Sequence, residues 1–153
     1  DVGAWASKIW CKDVPSKMKF LIWRLRNCAL PTNENIQRKG VVLASQCQCC
    51  ISPKQESSWH AFFLGELDMG IWNFMGSRLG LRCNGHSVQD FLENWFQGAM
   101  QPDGESRARV MVFVACCWII WEARNKIRNG GCYSASLIWV QILSLIADLG
   151  VLL

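Results

Sequence analysis

Charged residues are scarce in this 153-residue sequence, at 18%, whereas hydrophobic residues make up 51% and include nine tryptophans. Disordered chains have the opposite balance, so this composition excludes disorder and predicts a folded core. A chain of this length is long enough to bury such a core within one domain. The high apolar fraction also suggests a piece that normally packs against more protein.

The sequence has no apolar run as long as a bilayer-spanning helix, which needs about 20 residues. The longest candidates are residues 110–121, which are followed by Glu122, and residues 137–153, which Gln141 and Asp148 interrupt. These two segments are therefore expected to form helices that pack on each other, with no membrane as a partner.

Catalytic motifs are also missing. The sequence has no Gly-rich phosphate loop, no carboxylate cluster of the kind that polymerases need, and no nucleophile motif around a serine. Its two histidines and twelve acidic residues do not converge in the sequence. We therefore expect that this protein is not an enzyme.

A disulfide framework is not indicated, although the chain has nine cysteines. The count is odd, two pairs of cysteines are adjacent, and no secretory segment opens the chain, which together favour a reducing compartment. The expected location is intracellular, in the nucleus or the cytoplasm. Most of the thiols, among them Cys28, Cys116 and Cys117, are expected to be small core residues.

Apolar residues recur at helical spacing along most of the chain. After Pro15, Met18, Leu21, Ile22 and Leu25 follow the i, i+3, i+4, i+7 pattern of one buried helix face. Further helices are predicted after Thr32 and Ser87, which suit N-caps, and over residues 66–79 and 106–128, with a last helix from about residue 134. The predicted fold is all-α: a small helical domain with a Cys/His knuckle loop, followed by two long apolar helices.

Basic residues are concentrated in the N-terminal quarter. Residues 1–40 hold eight Lys/Arg and three acidic residues, a net charge of +5, whereas the remainder holds eight against nine. Within the helix after Pro15, Phe20 and Trp23 fall opposite the apolar stripe, between two pairs of cations. Aromatic rings between cations are typical of a platform for single-stranded nucleic acid, RNA or DNA, without sequence specificity. The candidate residues are Lys17, Lys19, Phe20, Trp23, Arg24, Arg26, Arg38 and Lys39.

A second interpretation of this helix is structural. Aromatic stripes are usually core, so the helix would lie between two layers while its cations extend along the edges.

Metal-binding chemistry is concentrated between residues 47 and 60. Cys47 and Cys50 form a Cys-x-x-Cys pair, and His60 on the next element is placed to close a tetrahedral zinc site from the other side. A fourth ligand is expected about one helical turn later, but residues 62–65 end at Gly65 and none of them binds metal. The predicted site is therefore incomplete, with zinc absent or weakly bound, and Cys83 and His86 are the candidate substitutes.

Several of these segments together resemble a known family. The run Glu56-Ser57-x-x-His60-x-Phe62-Phe63, ending at Ile71-Trp72, resembles the zinc-binding domain that follows the reverse transcriptase in non-LTR (LINE-type) retrotransposons, best known from plants. That family has the pattern C-x-x-C, a short loop and E-T-x-x-H-x-F-x-x-C, whose last cysteine falls at Gly65 here. The runs VPSKMKFLIWR and LPTNENIQRKG are similar to the family's opening motifs, VPxKxKxFxWR and LPTxxxLxxRG.

The segment WIIWEARNKIRNGG is similar to the W-x-x-W-x-x-R-N helix that, in this family, leads to an RNase H domain. The resemblance implies a degenerate zinc-binding domain over residues 1–80, a connecting helix over 81–100, and a C-terminal helical pair over 101–153 that is an incomplete linker region, with residues 101–105 as the clearest internal linker.

The function that the resemblance implies is that of a non-catalytic accessory domain, which binds nucleic acid or supports the packing of a retrotransposon polyprotein. Two alternatives stay open. The apolar C-terminal helices would recruit a protein partner or self-associate, or the chain is a decayed element fragment without a selected function.

Overall fold

Helices account for nearly all the regular structure of the chain. The computed structural model describes residues 4–44, 46–51, 54–97 and 104–153. In these ranges strand pairing is limited to one isolated antiparallel bridge between Gln46 and Gln55, so the predicted all-α fold is confirmed. The helices are α1 (Ala4–Ile9), α2 (Ser16–Arg26), α3 (Asn33–Arg38), a π-helical segment (His60–Leu64), α4 (Glu66–Arg78), α5 (Val88–Phe96), α6 (Gly104–Arg128) and α7 (Ala135–Asp148).

Helix α6 is the central element. Its 25 residues include an unbroken buried run over residues 110–117, and a helix that is apolar on all sides has to be surrounded by other elements. Accordingly α1, α2, α4, α5, α7 and the π-helical segment all contact it. The residues before it, 98–103, lie outside the described ranges, and with them the proposed boundary at 100/101 and the first part of the 101–105 linker.

Helix α7 packs along α6, as the sequence predicted. It buries Ile138, Ile142 and Ile146 at helical spacing and leaves Leu137, Val140 and Leu143 exposed. Ser134 begins the helix by accepting a hydrogen bond from the Leu137 N–H at 3.2 Å. In the part of the chain described here, no helix combines the length and the apolar character that crossing a bilayer requires.

The start of α3 departs from the sequence prediction. Thr32 occupies the N-cap position, but its side chain makes no capping hydrogen bond, and its buried Oγ1 has no hydrogen-bond partner among the described residues. The carboxylate of Glu56 takes that role instead, because it accepts a hydrogen bond from the Asn33 N–H at 3.0 Å. A carboxylate suits this place because the first N–H groups of a helix lack partners within the helix and carry partial positive charge.

Glu56 also forms a buried ion pair with Arg124 of α6. The Glu56 side chain is 4% exposed and the Arg124 side chain 3% exposed. The Arg124 guanidinium lies over the Trp121 ring, 4.9 Å from its centroid. One carboxylate therefore connects three segments that are distant in sequence: the start of α3, the segment preceding His60, and the last third of α6.

We predict that Glu56→Gln lowers the free energy of unfolding by about 3–5 kcal/mol, because it leaves the Arg124 charge buried without a counter-charge. Glutamine keeps an oxygen that can accept from Asn33. The change is read from urea unfolding. Glu34→Gln is the matched control, since it also removes one negative charge but breaks the exposed pair with Arg38, for which less than about 1 kcal/mol is expected. Equal and small losses in both variants would contradict the importance of the buried pair.

Candidate metal centre and nucleic-acid surface

The Cys-x-x-Cys segment forms a turn held by the backbone. The Cys47 N–H donates to the Lys54 carbonyl at 2.8 Å, next to the bridge between Gln46 and Gln55. Within the turn, the Cys49 N–H donates to the Cys47 sulfur at 3.4 Å. Cys47 is buried and Cys50 half-buried, whereas Cys49 is exposed. Two of the three thiols therefore face the protein.

His60 closes the other side of this turn. It begins the π-helical segment, where its N–H donates to Ser57 Oγ at 3.0 Å, and its ring Nε2 lies 3.3 Å from Cys50 Sγ. The ligand atoms of Cys47, Cys50 and His60 all lie within 4.8 Å of one another. Tetrahedral zinc, with Zn–S bonds of about 2.3 Å, separates its sulfur ligands by about 3.8 Å. The two thiols and the imidazole thus fit three corners of a zinc site.

Burial acts differently on the thiols and on the imidazole of the candidate site. Burial raises the pKa of Cys50 to about 11, and a side-chain hydrogen bond with Cys49, together with burial, raises the pKa of Cys47. The same contact lowers the pKa of Cys49. Burial lowers the pKa of His60, so its imidazole is neutral near pH 7, the form that binds metal. A zinc ion here would displace the protons of Cys47 and Cys50 as it binds.

A cavity of about 460 Å³ adjoins two of the three candidate ligands, Cys47 and Cys50. Gly65 and the apolar side chains of Ile120 and Ile138 also line it. Gly65 ends the π-helical segment and is the N-cap of α4. The position at which the sequence analysis expected a fourth ligand therefore lies at the candidate site, but it contributes no side chain.

The proposed substitutes for the missing ligand are elsewhere. The thiol of Cys83 donates to the Trp72 carbonyl at 3.0 Å and lines a different pocket together with Trp59 and Phe63. His86 is exposed. Over the described ranges, Cys47, Cys50 and His60 form the only group of three or more potential metal ligands. The suggestion that Cys83 or His86 completes the site is therefore not supported, because α4 and its C-terminal turn hold Cys83 away from the knuckle.

The two apolar faces of α2 differ in burial. Met18, Leu21, Ile22 and Leu25 are buried, as predicted. Phe20 and Trp23 are 53% and 48% exposed, so the interpretation that places this helix between two layers is wrong for their face. Trp10, 47% exposed, meets Phe20 edge to face with 5.7 Å between the ring centroids. The surface thus presents three large aromatic rings.

The cations around this aromatic surface differ in what they contact. Lys17 Nζ lies over the Trp118 ring of α6, 4.4 Å from its centroid. Arg24 is exposed, and Lys19 and Arg26 are half-buried. At the end of α3, Arg38 pairs with Glu34 at 2.6 Å and Lys39 is exposed. Among the residues around Phe20 and Trp23, Lys17 is therefore engaged with the core helix, whereas Arg24 faces solvent.

Comparison with known proteins identifies the N-terminal part of the chain. Residues 1–72 match the family described as zinc-binding in reverse transcriptase. This part of the chain, called the zinc-binding domain below, is thus similar to a reverse-transcriptase-associated zinc-binding domain. The match includes Cys47, Cys50, His60 and the whole aromatic surface of α2, and it ends within α4. Searches of curated proteins and of solved structures gave no match.

Asp68 is the residue of the zinc-binding domain that the sequence analysis missed. It lies in the first turn of α4, half-buried, and lines the same cavity as Cys47 and Cys50. Burial raises the pKa of its carboxyl group to about 7. Asp68 follows Gly65 by three residues, about one helical turn, and this spacing is the sequence signal that points to it.

We predict that Cys50→Ser lowers the affinity of the zinc-binding domain for Zn²⁺ by at least about tenfold, because a neutral hydroxyl replaces a thiolate ligand. The affinity is measured by competition with a chromophoric chelator under reducing conditions. Cys132→Ser is the control, since Cys132 is exposed and is not among the three clustered ligands. Identical affinities in these two variants would show that zinc does not bind at the Cys47, Cys50 and His60 cluster.

Proposed function

We propose that this chain is a non-catalytic accessory domain of a non-LTR (LINE-type) retrotransposon polyprotein, of the kind best known from plants, and that it binds single-stranded RNA or DNA weakly and without sequence preference. Its place of action would be the nucleus or the cytoplasm. The family match over residues 1–72 supports the origin. The observation that carries the binding function is the exposure of Phe20 and Trp23 beside basic residues on α2.

The exposed rings suit stacking with bases. Stacking of one base on an aromatic side chain contributes about 1–3 kcal/mol and tolerates any sequence, because every base has a π face. Phe20 and Trp23 are three residues apart on one helix, and Trp10 adds a third ring beside Phe20. Lys19 and Arg24, on opposite edges of this aromatic strip, would neutralise backbone phosphates and make the affinity strongly dependent on salt.

Zinc would act structurally in this proposal. A bound ion would join the Cys47–Cys50 turn to His60 and thus to the base of α4. Three ligands alone would hold it weakly.

The segment WIIWEARNKIRNGG, at the end of α6, would have the role that the family resemblance implies, as the start of a connection towards an RNase H domain. Trp118 contacts Lys17 of α2, and Trp121 stacks on Phe62 with 5.7 Å between the ring centroids. Together with Arg124, these contacts attach the motif to the zinc-binding domain. They support a rigid connection, in which the orientation of α6 is set by the domain that precedes it.

A second candidate function is protein association through α7. Leu137, Val140 and Leu143 form an exposed apolar ridge, and Trp139 meets Phe74 of α4 edge to face at 5.2 Å. Exposed apolar patches of this kind are typical of interaction sites.

We predict that Val140→Glu abolishes any concentration-dependent association of the chain, because Val140 is 63% exposed at the centre of the α7 ridge. Sedimentation velocity over a hundredfold range of concentration is the measurement. Glu122→Gln serves as a control, since it changes an exposed position of α6. A parent chain that stays monomeric throughout would exclude self-association.

For nucleic-acid binding, we predict that the double variant Lys19→Gln/Arg24→Gln binds a single-stranded oligonucleotide more weakly and with a smaller dependence on salt. Each lost phosphate contact should reduce the slope of log K against log salt by about 0.7. Glutamine is a comparable helix former, so α2 should remain folded. Fluorescence anisotropy at several salt concentrations gives both values. The control Arg78→Gln/Arg82→Gln also removes two exposed positive charges, but away from α2. If both double variants bound the oligonucleotide equally weakly, binding would not be localised to α2.

The variant Trp23→Ala distinguishes a role of Trp23 in stacking on bases from a role in stabilising the fold. Because Trp23 is half exposed, its removal should change the free energy of unfolding by less than about 1 kcal/mol, whereas loss of a buried tryptophan such as Trp72 costs about 3–5 kcal/mol. Binding of the oligonucleotide should weaken by about 1–3 kcal/mol. Unchanged binding at low salt would exclude the aromatic platform.

A further inference from the structure

The space that a side chain at position 65 would enter is already occupied. A Cβ built on Gly65 would overlap Asp68 Oδ2 and would lie 3.1 Å from Asp68 Cγ and 3.7 Å from Asp68 Cβ. A cysteine at position 65 and the present orientation of Asp68 therefore exclude each other. We propose that Asp68 is the fourth zinc ligand, so that the site consists of Cys47, Cys50, His60 and Asp68.

Helix geometry directs Asp68 towards the site. Gly65 is the N-cap of α4 and Asp68 is the third residue of that helix. Side chains on a helix tilt towards its N-terminus, and an acidic residue at this position folds back over the N-cap, as in a capping box. The carboxylate of Asp68 consequently reaches back to Gly65, the residue that follows the π-helical segment of His60.

The surroundings of Asp68 are more typical of a metal ligand than of a carboxylate that pairs with other side chains of the protein. It lines the same cavity as Cys47 and Cys50. Among the described residues, no ion pair or hydrogen bond is recorded for its carboxylate, and the guanidinium that lines this cavity, Arg124, is paired with Glu56. A half-buried carboxylate without a partner is costly, and a cation held by Cys47, Cys50 and His60 would supply the missing counter-charge.

Zinc accepts this set of donors. Carboxylate oxygens bind it at about 2.0–2.2 Å, alongside thiolate sulfur and imidazole nitrogen. The Asp68 carboxylate stands outside the group of three whose ligand atoms lie within 4.8 Å of one another, so binding requires its side chain to turn towards the knuckle. Since Gly65 has no side chain, nothing at that position blocks the movement. This inference is independent of nucleic-acid binding.

The test compares Asp68→Asn with Glu66→Gln, because each removes one carboxylate from the first turn of α4 and so has a similar effect on the helix dipole. Zn²⁺ affinity is measured by chelator competition. Asp68→Asn should weaken binding by more than about tenfold, because loss even of a residue that only supports the ligands costs about 10–100-fold in metal affinity. Glu66→Gln should leave the affinity close to that of the parent chain. Asp68→Glu keeps a carboxylate and should retain more affinity than Asp68→Asn.

Cobalt(II) provides a second readout that depends on the ligand set. The parent chain loaded with Co²⁺ should show tetrahedral d–d bands with charge transfer from two thiolates, and Asp68→Asn should alter the d–d bands but not the thiolate bands. Gly65→Cys/Asp68→Ala removes the overlap between a side chain at position 65 and Asp68 and should restore tight binding with charge transfer from a third thiolate. Three results would overturn the proposal: no Zn²⁺ binding by the parent chain, equal affinities of Asp68→Asn and the parent, or equal weakening by Asp68→Asn and Glu66→Gln.

Discussion

The buried ion pair between Glu56 and Arg124 is the constraint on which the arrangement of the zinc-binding domain depends. A carboxylate in the interior requires a counter-charge and hydrogen-bond donors, and Glu56 finds them in the guanidinium of α6 and the first N–H of α3. Glu56 and these two partners come from three segments that resemble family motifs, the LPTN turn, the Glu-Ser-x-x-His run and the Trp-x-x-Trp helix. The three segments thus meet in one buried network, and Glu56 places the residues that follow it, including His60, against α6.

The candidate metal centre lies at the junction between this network and the base of α4. The turn of Cys47 and Cys50 faces His60, and the next residues continue into the N-cap of α4, where backbone N–H groups favour negatively charged or anionic partners. In this geometry a fourth ligand has two routes into the site, through a side chain at the N-cap itself or through one that folds back from the first turn. The chain has glycine at the first position and Asp68 at the second, so only the second route offers a side chain here.

Helix α2 serves the core and the surface through different faces. Its aliphatic stripe packs towards α6, while Phe20 and Trp23 remain half exposed, and Lys17 bridges the two through its contact with Trp118. Placing large aromatic rings in water is unfavourable in a protein that has enough other apolar residues to fill its core. Their exposure is therefore the feature of the N-terminal region that calls for a functional explanation.

The sequence by itself determined the helical class, most helix positions and the grouping of Cys47, Cys50 and His60 as candidate metal ligands, because periodicity and the Cys-x-x-Cys spacing are local properties of the chain. The buried stripe of α2, the cap at Ser87 and the pairing of α6 with α7 belong to this group. Only the tertiary structure decided that Glu56 rather than Thr32 caps α3, that Cys83 lies against Trp72, and that the second face of α2 is exposed. It also brought Asp68 to Gly65. These outcomes depend on contacts between segments that are tens of residues apart in the sequence. A local sequence pattern does not specify which distant residue will pair with a buried charge or cover an aromatic side chain.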